Sequence, residues 1–276
     1  MTAVREFSYV LESAGLAMVK PEIVADGRLH RYRVAGDKAG SLNGWYVLHL
    51  EEQPFGAFGS WKSGQSETWT AVNRNQMTEA ERRALHERMA AARAARDAEQ
   101  AKIHADARAR AAKLWERAIP AVNDHPYLVR KGVRAYGIRQ LRGQIVIPLR
   151  DAAGELHSLQ FIGADGKKVL LTGGRKRGFY HAIGMPERAL CVCEGYATGA
   201  TIHMATGHAT AVAFDAGNLE PVARALRGKF PRLPMVICAD NDADKPGNPG
   251  LTSANAAALA VGAAVAVPTF PEVANV

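Results

Sequence analysis

Cysteine is scarce in this chain: three residues in 276, at positions 191, 193 and 238. They form no C-x-x-C pair and have no clustered histidine beside them, which excludes a disulfide framework and a zinc ribbon or finger. No zinc is expected, and unpaired thiols imply a reducing, cytoplasmic setting. Long hydrophobic runs are also missing. The longest stretch of small apolar residues, 256–267, stops at Pro268, short of the roughly 18 residues that cross a bilayer. Glu6 and Glu12 interrupt the segment that an export signal would keep apolar, so no membrane partner is expected. Neither G-x-x-x-x-G-K-[ST], H-E-x-x-H nor G-x-S-x-G occurs, which argues against a P-loop motor, a zinc protease and a serine esterase.

Basic charge, by contrast, is present and unevenly placed. The net charge is +8, and residues 128–177 alone hold eleven Lys or Arg against three acids, an excess equal to that of the whole chain. Strand-like and glycine-containing stretches within this segment would pin the charges in place. A polyanion is the natural partner, and nucleic acid is favoured over a merely solvated face.

Four regions follow from patterning. Residues 1–72 read as a small α+β domain, with helical spacing from Phe7 to Val19 and short strands at Arg31–Val34 and Gly44–Leu50. Trp45, Tyr46, Phe55, Phe58, Trp61 and Trp69 make it the aromatic-rich part, serving a core first and base stacking second. Residues 73–120 read as one long Ala/Arg-rich helix, opened by Thr78 and Glu81 and free of Gly and Pro until Pro120. Its only large apolar side chain between Met89 and Leu114 is Ile103, so it predicts a strut or linker rather than a coiled coil. Residues 121–188 carry the basic excess. Residues 189–276 alternate short apolar strands with helices, which predicts a parallel sheet with helices on its faces and a ligand at the carboxyl ends of the strands.

An acidic group follows each of three predicted strands: Glu194 after Leu190–Cys193, Asp215 after Ala209–Phe214, and Asp240, Asp242 and Asp244 after Pro234–Ala239. Carboxylates on one rim repel unless a cation joins them, and hard oxygen ligands that leave positions to water or phosphate suit Mg²⁺ or Mn²⁺. An EF-hand would need Gly and Glu where Lys245 and Leu251 stand. For Asp244 a plain loop cap competes evenly with ligation. For Asp215 and Asn218 a turn and helix cap before Leu219 is the stronger reading.

A strand ending in Glu194-Gly195-Tyr196, then helix, strand and helix, then a strand ending in Asp240-x-Asp242, resembles the TOPRIM domain of DnaG-type primases, topoisomerases and some nucleases. Upstream, His125-Pro126-Tyr127-Leu128-Val129-Arg130-Lys131-Gly132 is similar to the segment that opens the bacterial primase core. Ile145 to Asp151 with Gly154, Gly166 to Leu171, and Gly178-Phe179-Tyr180 continue the similarity. Phe214 to Leu219 and Asn248 to Leu251 are nearest to the primases of plasmids and phages. The resemblance covers about residues 121–268.

That resemblance implies a DNA primase that makes short primers on single-stranded DNA from nucleoside triphosphates. Glu194, Asp240 and Asp242 would be catalytic, and the same three with Asp244 would hold Mg²⁺ or Mn²⁺. Arg142, Arg150, Lys167, Lys168, Arg175, Lys176 and Arg177 would carry template and nucleotide, with Asp215 and Asn218 behind them. Partners would be template, triphosphates and, in this family, a replicative helicase. With no zinc ribbon before residue 191, template choice falls to residues 1–72, and a chain ending at Val276 reads as a truncated or minimal form. The alternatives are a metal-dependent nuclease and a non-catalytic nucleic-acid-binding module.

Overall fold

Apolar side chains at Phe7, Val10, Leu11 and Ala14 recur at helical spacing, and they form the buried stripe of the first helix, α1 (Ala3–Ser13). The helix starts four residues before the expected Phe7 and ends well before Val19. Gly15 takes a left-handed conformation (φ 73°), and Leu16 N–H returns to the Leu11 carbonyl at 2.8 Å, which closes the helix. These features belong to a computed structural model that describes residues 2–51, 54–71, 78–242 and 247–268. Asp244 lies outside the described residues. The chain divides into two compact units, Met1–Gln100 and Ala101–Val276.

In the first unit, α1 packs on a four-stranded antiparallel sheet of β1 (His30–Tyr32), β2 (Gly44–His49), β3 (Phe55–Ser60) and β4 (Ser66–Thr70), in that order. Phe7 lies edge-on to Tyr46 and Phe58, and Leu11, Tyr32 and Leu48 complete this core. Tyr46 and Phe58 are buried in it, Trp45 and Phe55 are buried on the opposite face of the sheet, and Trp61 stays 42% exposed.

A long helix, α2 (Glu79–Arg117), begins in the first unit and ends in the second. In the second unit Ala111 of its last turns and Ala118, just past its end, pack against Val146 and Leu159. Those two residues belong to a second antiparallel sheet, ordered β5 (Ile119–Pro120), β6 (Arg139–Leu141), β7 (Gln144–Arg150), β8 (Leu156–Ile162) and β9 (Lys168–Leu170). Between β5 and β6 sits α3 (Pro126–Lys131). His125 caps it by accepting the Tyr127 N–H at 3.2 Å, Pro126 fills its first position, and Gly132 ends it at φ 63°.

The third sheet runs β10 (His181–Ile183), β12 (Ala209–Val212), β11 (Leu190–Cys193), β13 (Met235–Cys238) and β14 (Ala264–Ala266). Only β10 is antiparallel to its neighbour. The crossovers are α4 (Tyr196–Thr206), α5 (Leu219–Lys229) and α6 (Pro249–Val261). Tyr196 and Ala200 of α4 share a core with Ile145, Ile147 and Leu149 of β7, while α5 and α6 pack together on the opposite face. From β11 the chain moves to one side, to β12, and then to the other, to β13. That makes the carboxyl ends of β11 and β13 the topological switch point, where α/β sheets open a crevice for ligand. Among the described residues no helix is long and apolar enough to cross a membrane.

Candidate active site

Register brings the acidic groups to one rim. Cys193 pairs with Val212 on one side and with Cys238 on the other, so the three strands end level. Glu194 is the next residue after β11, Asp215 is third after β12, and Asp240 is second after β13. The Cys193 thiol, fully buried beneath this rim, is pushed far up, first by burial and then by the negative charges of Asp240 and Glu194. Lys168 acts on the same thiol in the opposite sense. Glu194, Asp240 and Lys168 thus converge on the end of β11.

Gly195 caps the N-terminus of α4, and Lys168 stands beside it. A Cβ at Gly195 would lie in ordinary contact with the Lys168 ammonium, 3.5 Å away, and with Thr198 Oγ1 at 3.9 Å, which places the lysine over the helix N-terminus. There the partial positive charge of the helix adds to that of the lysine, favouring an anion.

A second lysine stands opposite. Lys176 pairs with Asp215 and also feels the charge of Glu194. Burial is the larger influence and lowers its pKa, against the pull of Glu194. Asn218 holds the loop that carries it. The Asn218 side chain accepts the Gly178 N–H at 2.7 Å and donates to the carbonyls of Lys176 (3.2 Å), Phe179 (3.1 Å) and Ala213 (2.8 Å). It caps no helix, although it precedes α5, and the cap expected from its position is replaced by this clamp. The next aromatic ring, Phe179, has His157 stacked at 4.2 Å and the Arg175 guanidinium at 4.9 Å.

The loop after β13 is shaped by α6. Asn248, left-handed at φ 40°, accepts the N–H groups of Asp242 at 3.1 Å and Leu251 at 3.3 Å, and donates to Asn241 at 2.9 Å. Gly250 lets the helix approach closely, since a Cβ there would fall 2.3 Å from the Asp240 carbonyl oxygen and 3.1 Å from Asp242 Oδ2.

The remaining basic residues are more dispersed. Arg142 occupies the exposed tip of the β6–β7 hairpin, left-handed at φ 50° and followed by Gly143 at 74°. Arg150 donates to the Gly154 carbonyl at 2.8 Å and lies 5.7 Å over the Trp115 ring, so its guanidinium is engaged within the fold. Lys167 is exposed in the β8–β9 turn, its N–H on Asp165 at 2.9 Å, and Arg177 is exposed beside Lys176. The structure therefore gathers Glu194, Asp240, Lys168, Lys176 and Asp215, with Asn218 behind them.

Among the described residues, no three His, Cys, Asp or Glu side chains form a group that could hold a metal. Mg²⁺ and Mn²⁺ take one or two carboxylates and leave their other positions to water and phosphate oxygen, a demand that a rim of hard oxygen donors fits. Sequence reasoning names Asn218 without its clamp and misses Gly250. Gly250 carries a legible signal, because glycine in the first turn of a helix is costly without a steric reason. The clamp by Asn218 carries none.

Residues 189–272 match the Toprim domain family. Over 96% of its length the chain is 37% identical to a DNA primase TraC of Escherichia coli, of which it covers 26%. A second Escherichia coli DNA primase TraC is 36% identical over the whole chain, which covers 20% of that relative. The chain thus spans about a quarter or less of the curated relatives it matches. Among solved structures, a DNA primase domain from Pseudomonas aeruginosa matches 49% of the chain and 46% of its own length, at 18% identity and a TM-score of 0.34.

Proposed function

We propose, for a chain whose residues 189–272 are a Toprim domain, that it makes short primers on single-stranded DNA from nucleoside triphosphates. The observation that carries this reading is the convergence of Glu194, Asp240 and Lys168 at the switch point of the third sheet, with Lys176 opposite. It puts carboxylates beside cations where a triphosphate and a primer end can meet. The two relatives named DNA primase, similar along nearly the whole chain, support it.

Lys168, over the N-terminus of α4, binds the triphosphate tail and offsets the charge that builds on the departing pyrophosphate. Asp240 and Asp242 would hold Mg²⁺ or Mn²⁺, and Asp244 would be a further oxygen donor. When bound, the metal neutralises phosphate charge and favours in-line displacement at the α-phosphorus. The primer 3′-oxygen bonds to that phosphorus, the bond to pyrophosphate breaks, and Glu194 is placed to receive the hydroxyl proton. Lys176 stays beside Glu194, positioned by Asp215 and Asn218. Arg175, Arg177, Lys167 and Arg142 are exposed cations for the template–primer phosphates, while Arg150 supports them from within the fold. The reading places the protein in the cytoplasm, with a replicative helicase as a candidate partner.

The test incubates the purified chain with mixed single-stranded templates, labelled nucleoside triphosphates and Mg²⁺ or Mn²⁺, beside Asp240→Asn and Glu194→Gln. New oligonucleotides from the native chain alone are expected, with template affinity unchanged in both variants. Template shortening without new product would replace this reading by a nuclease, and neither outcome by a binding module.

A further inference from the structure

The N-terminal sheet has a second face, and the chemistry proposed above does not use it. Strand register puts Trp45, Val47, Ala57, Ser66 and Thr68 on that face, opposite the one covered by α1. Small residues, Ala57 and Gly59, leave the middle of the sheet low; a Cβ at Gly59 would fall 2.8 Å from the Trp45 ring. Over this face the first turns of α2 present Arg82, Leu85, His86, Met89 and Arg93, one side of the helix by spacing. Leu85 and Met89 pack against Phe55, and the rest of the space is a cavity of about 900 Å³. That is ample for a mononucleotide-sized group.

The lining has a chemical direction. Trp45, 2% exposed, closes the floor of the cavity, and at its edge the Trp61 ring lies against Trp45 at 5.6 Å between centroids and stays 42% exposed. Its charged rim is cationic, from Arg82 and Arg93 with His86 between them, and no described carboxylate lines it. Arg93 Nε is 3.9 Å from Asp97 Oδ2, an exposed pair too loose to neutralise it. An apolar aromatic floor beneath a cationic edge suits a ligand that alternates flat rings with anions, which is a single nucleic-acid strand.

The geometry points to this groove as a binding site for single-stranded DNA, with a base against the exposed ring of Trp61 at its edge and phosphates on the Arg82–Arg93 face of α2. That the strand is the template rests on the primer-synthesis reading.

The test uses the full chain. Ultraviolet crosslinking to a 5-bromodeoxyuridine oligonucleotide, with peptide mapping, locates the strand. Its affinity is then measured against salt concentration for the native chain, Arg82→Gln/Arg93→Gln and Trp61→Ala. All three positions are exposed, so the variants keep the fold, which circular dichroism checks. Crosslinks are expected within residues 45–68 or 82–93. The double variant should flatten the log–log salt dependence by about 1.4, at roughly 0.7 per phosphate on a single strand. Trp61→Ala should bind roughly tenfold more weakly. Crosslinks confined to residues 101–276, with unchanged affinity and salt slope, overturn the groove, as does a groove filled by a peptide that single strands do not displace. A chain that makes no primers yet crosslinks at the groove refutes the primer-synthesis reading and upholds the site. Primer synthesis together with unaltered strand binding in every groove variant does the reverse.

Discussion

Replacing Asn218 by Ala tests how the lysine loop is held. The side chain is 1% exposed; its oxygen accepts one backbone N–H, and its two N–H groups are shared among three backbone carbonyls. Truncation leaves the Gly178 N–H without its acceptor and the Phe179 and Ala213 carbonyls without this donor, whereas the Lys176 carbonyl keeps the Phe179 N–H at 2.9 Å. A buried group left unsatisfied costs about 1–3 kcal/mol, and water entering the vacated volume recovers part of that, so a net loss of about 2–4 kcal/mol is expected. For a unit of this size, each kcal/mol lowers the melting midpoint by about 2–4 °C, giving a fall of roughly 5–15 °C. Differential scanning calorimetry reads it directly. Asp215→Ala is the control: it removes a partly exposed ion pair, worth at most about 1 kcal/mol, and should move the midpoint little. Primer synthesis should fall in both, because both release Lys176. If Asn218→Ala melts within about 1 °C of the native protein, the clamp does not hold the loop and the reasoning is refuted.

Gly250→Ala forces a Cβ to within 2.3 Å of the Asp240 carbonyl, so the acidic loop must move; a displacement near 1 Å should cut primer synthesis about 100-fold while DNA affinity holds, as paired activity and anisotropy assays would read. Lys168→Met removes the ammonium over α4 and should raise KM for nucleoside triphosphates about tenfold, in steady-state kinetics, with stability unchanged. His181, buried and donating its Nε2–H to the Tyr136 carbonyl at 2.8 Å, is pushed by burial from 6.5 down to about 4. The unfolded chain therefore binds the extra proton between those values: stability is complete above pH 6.5 and falls by up to about 3 kcal/mol as pH drops to 4. Urea titrations of His181→Gln over that range should show a shallower decline than the native chain.

The alternation of the third sheet is legible because its strands, Leu190–Cys193, Ala209–Val212 and Met235–Cys238, are short runs of four, apolar but for Thr210, and an acid follows each within three residues. The acidic rim is legible for the same reason, since residues that follow parallel strands share an edge. The strands β3 and β4 escape notice because Phe55–Ser60 contains two glycines and Ser66–Thr70 is mostly polar; burial holds β3 as a strand and the ladder to β3 holds the exposed β4, not propensity. The three-residue β10 is too short to show a period. The clamp by Asn218 is illegible because its loop partners lie 39 to 42 residues away, so only the folded chain makes them neighbours. The pairing of Lys176 with Asp215, also 39 residues apart, is hidden in the same way.

The far end of α2 has a bearing on how this protein can change. Arg110 donates to the Thr172 carbonyl at 2.7 Å, and His104 lies 3.0 Å from the carbonyl of Gly173, just before the Arg175–Arg177 run. Asn218 grips the other side of that run, again through main-chain atoms. A loop anchored at both ends by its peptide groups keeps its path whatever side chains it bears. Its cations can be exchanged, added or removed by mutation while the scaffold stays fixed, so drift in sequence can retune affinity for a polyanion without first having to rebuild the fold.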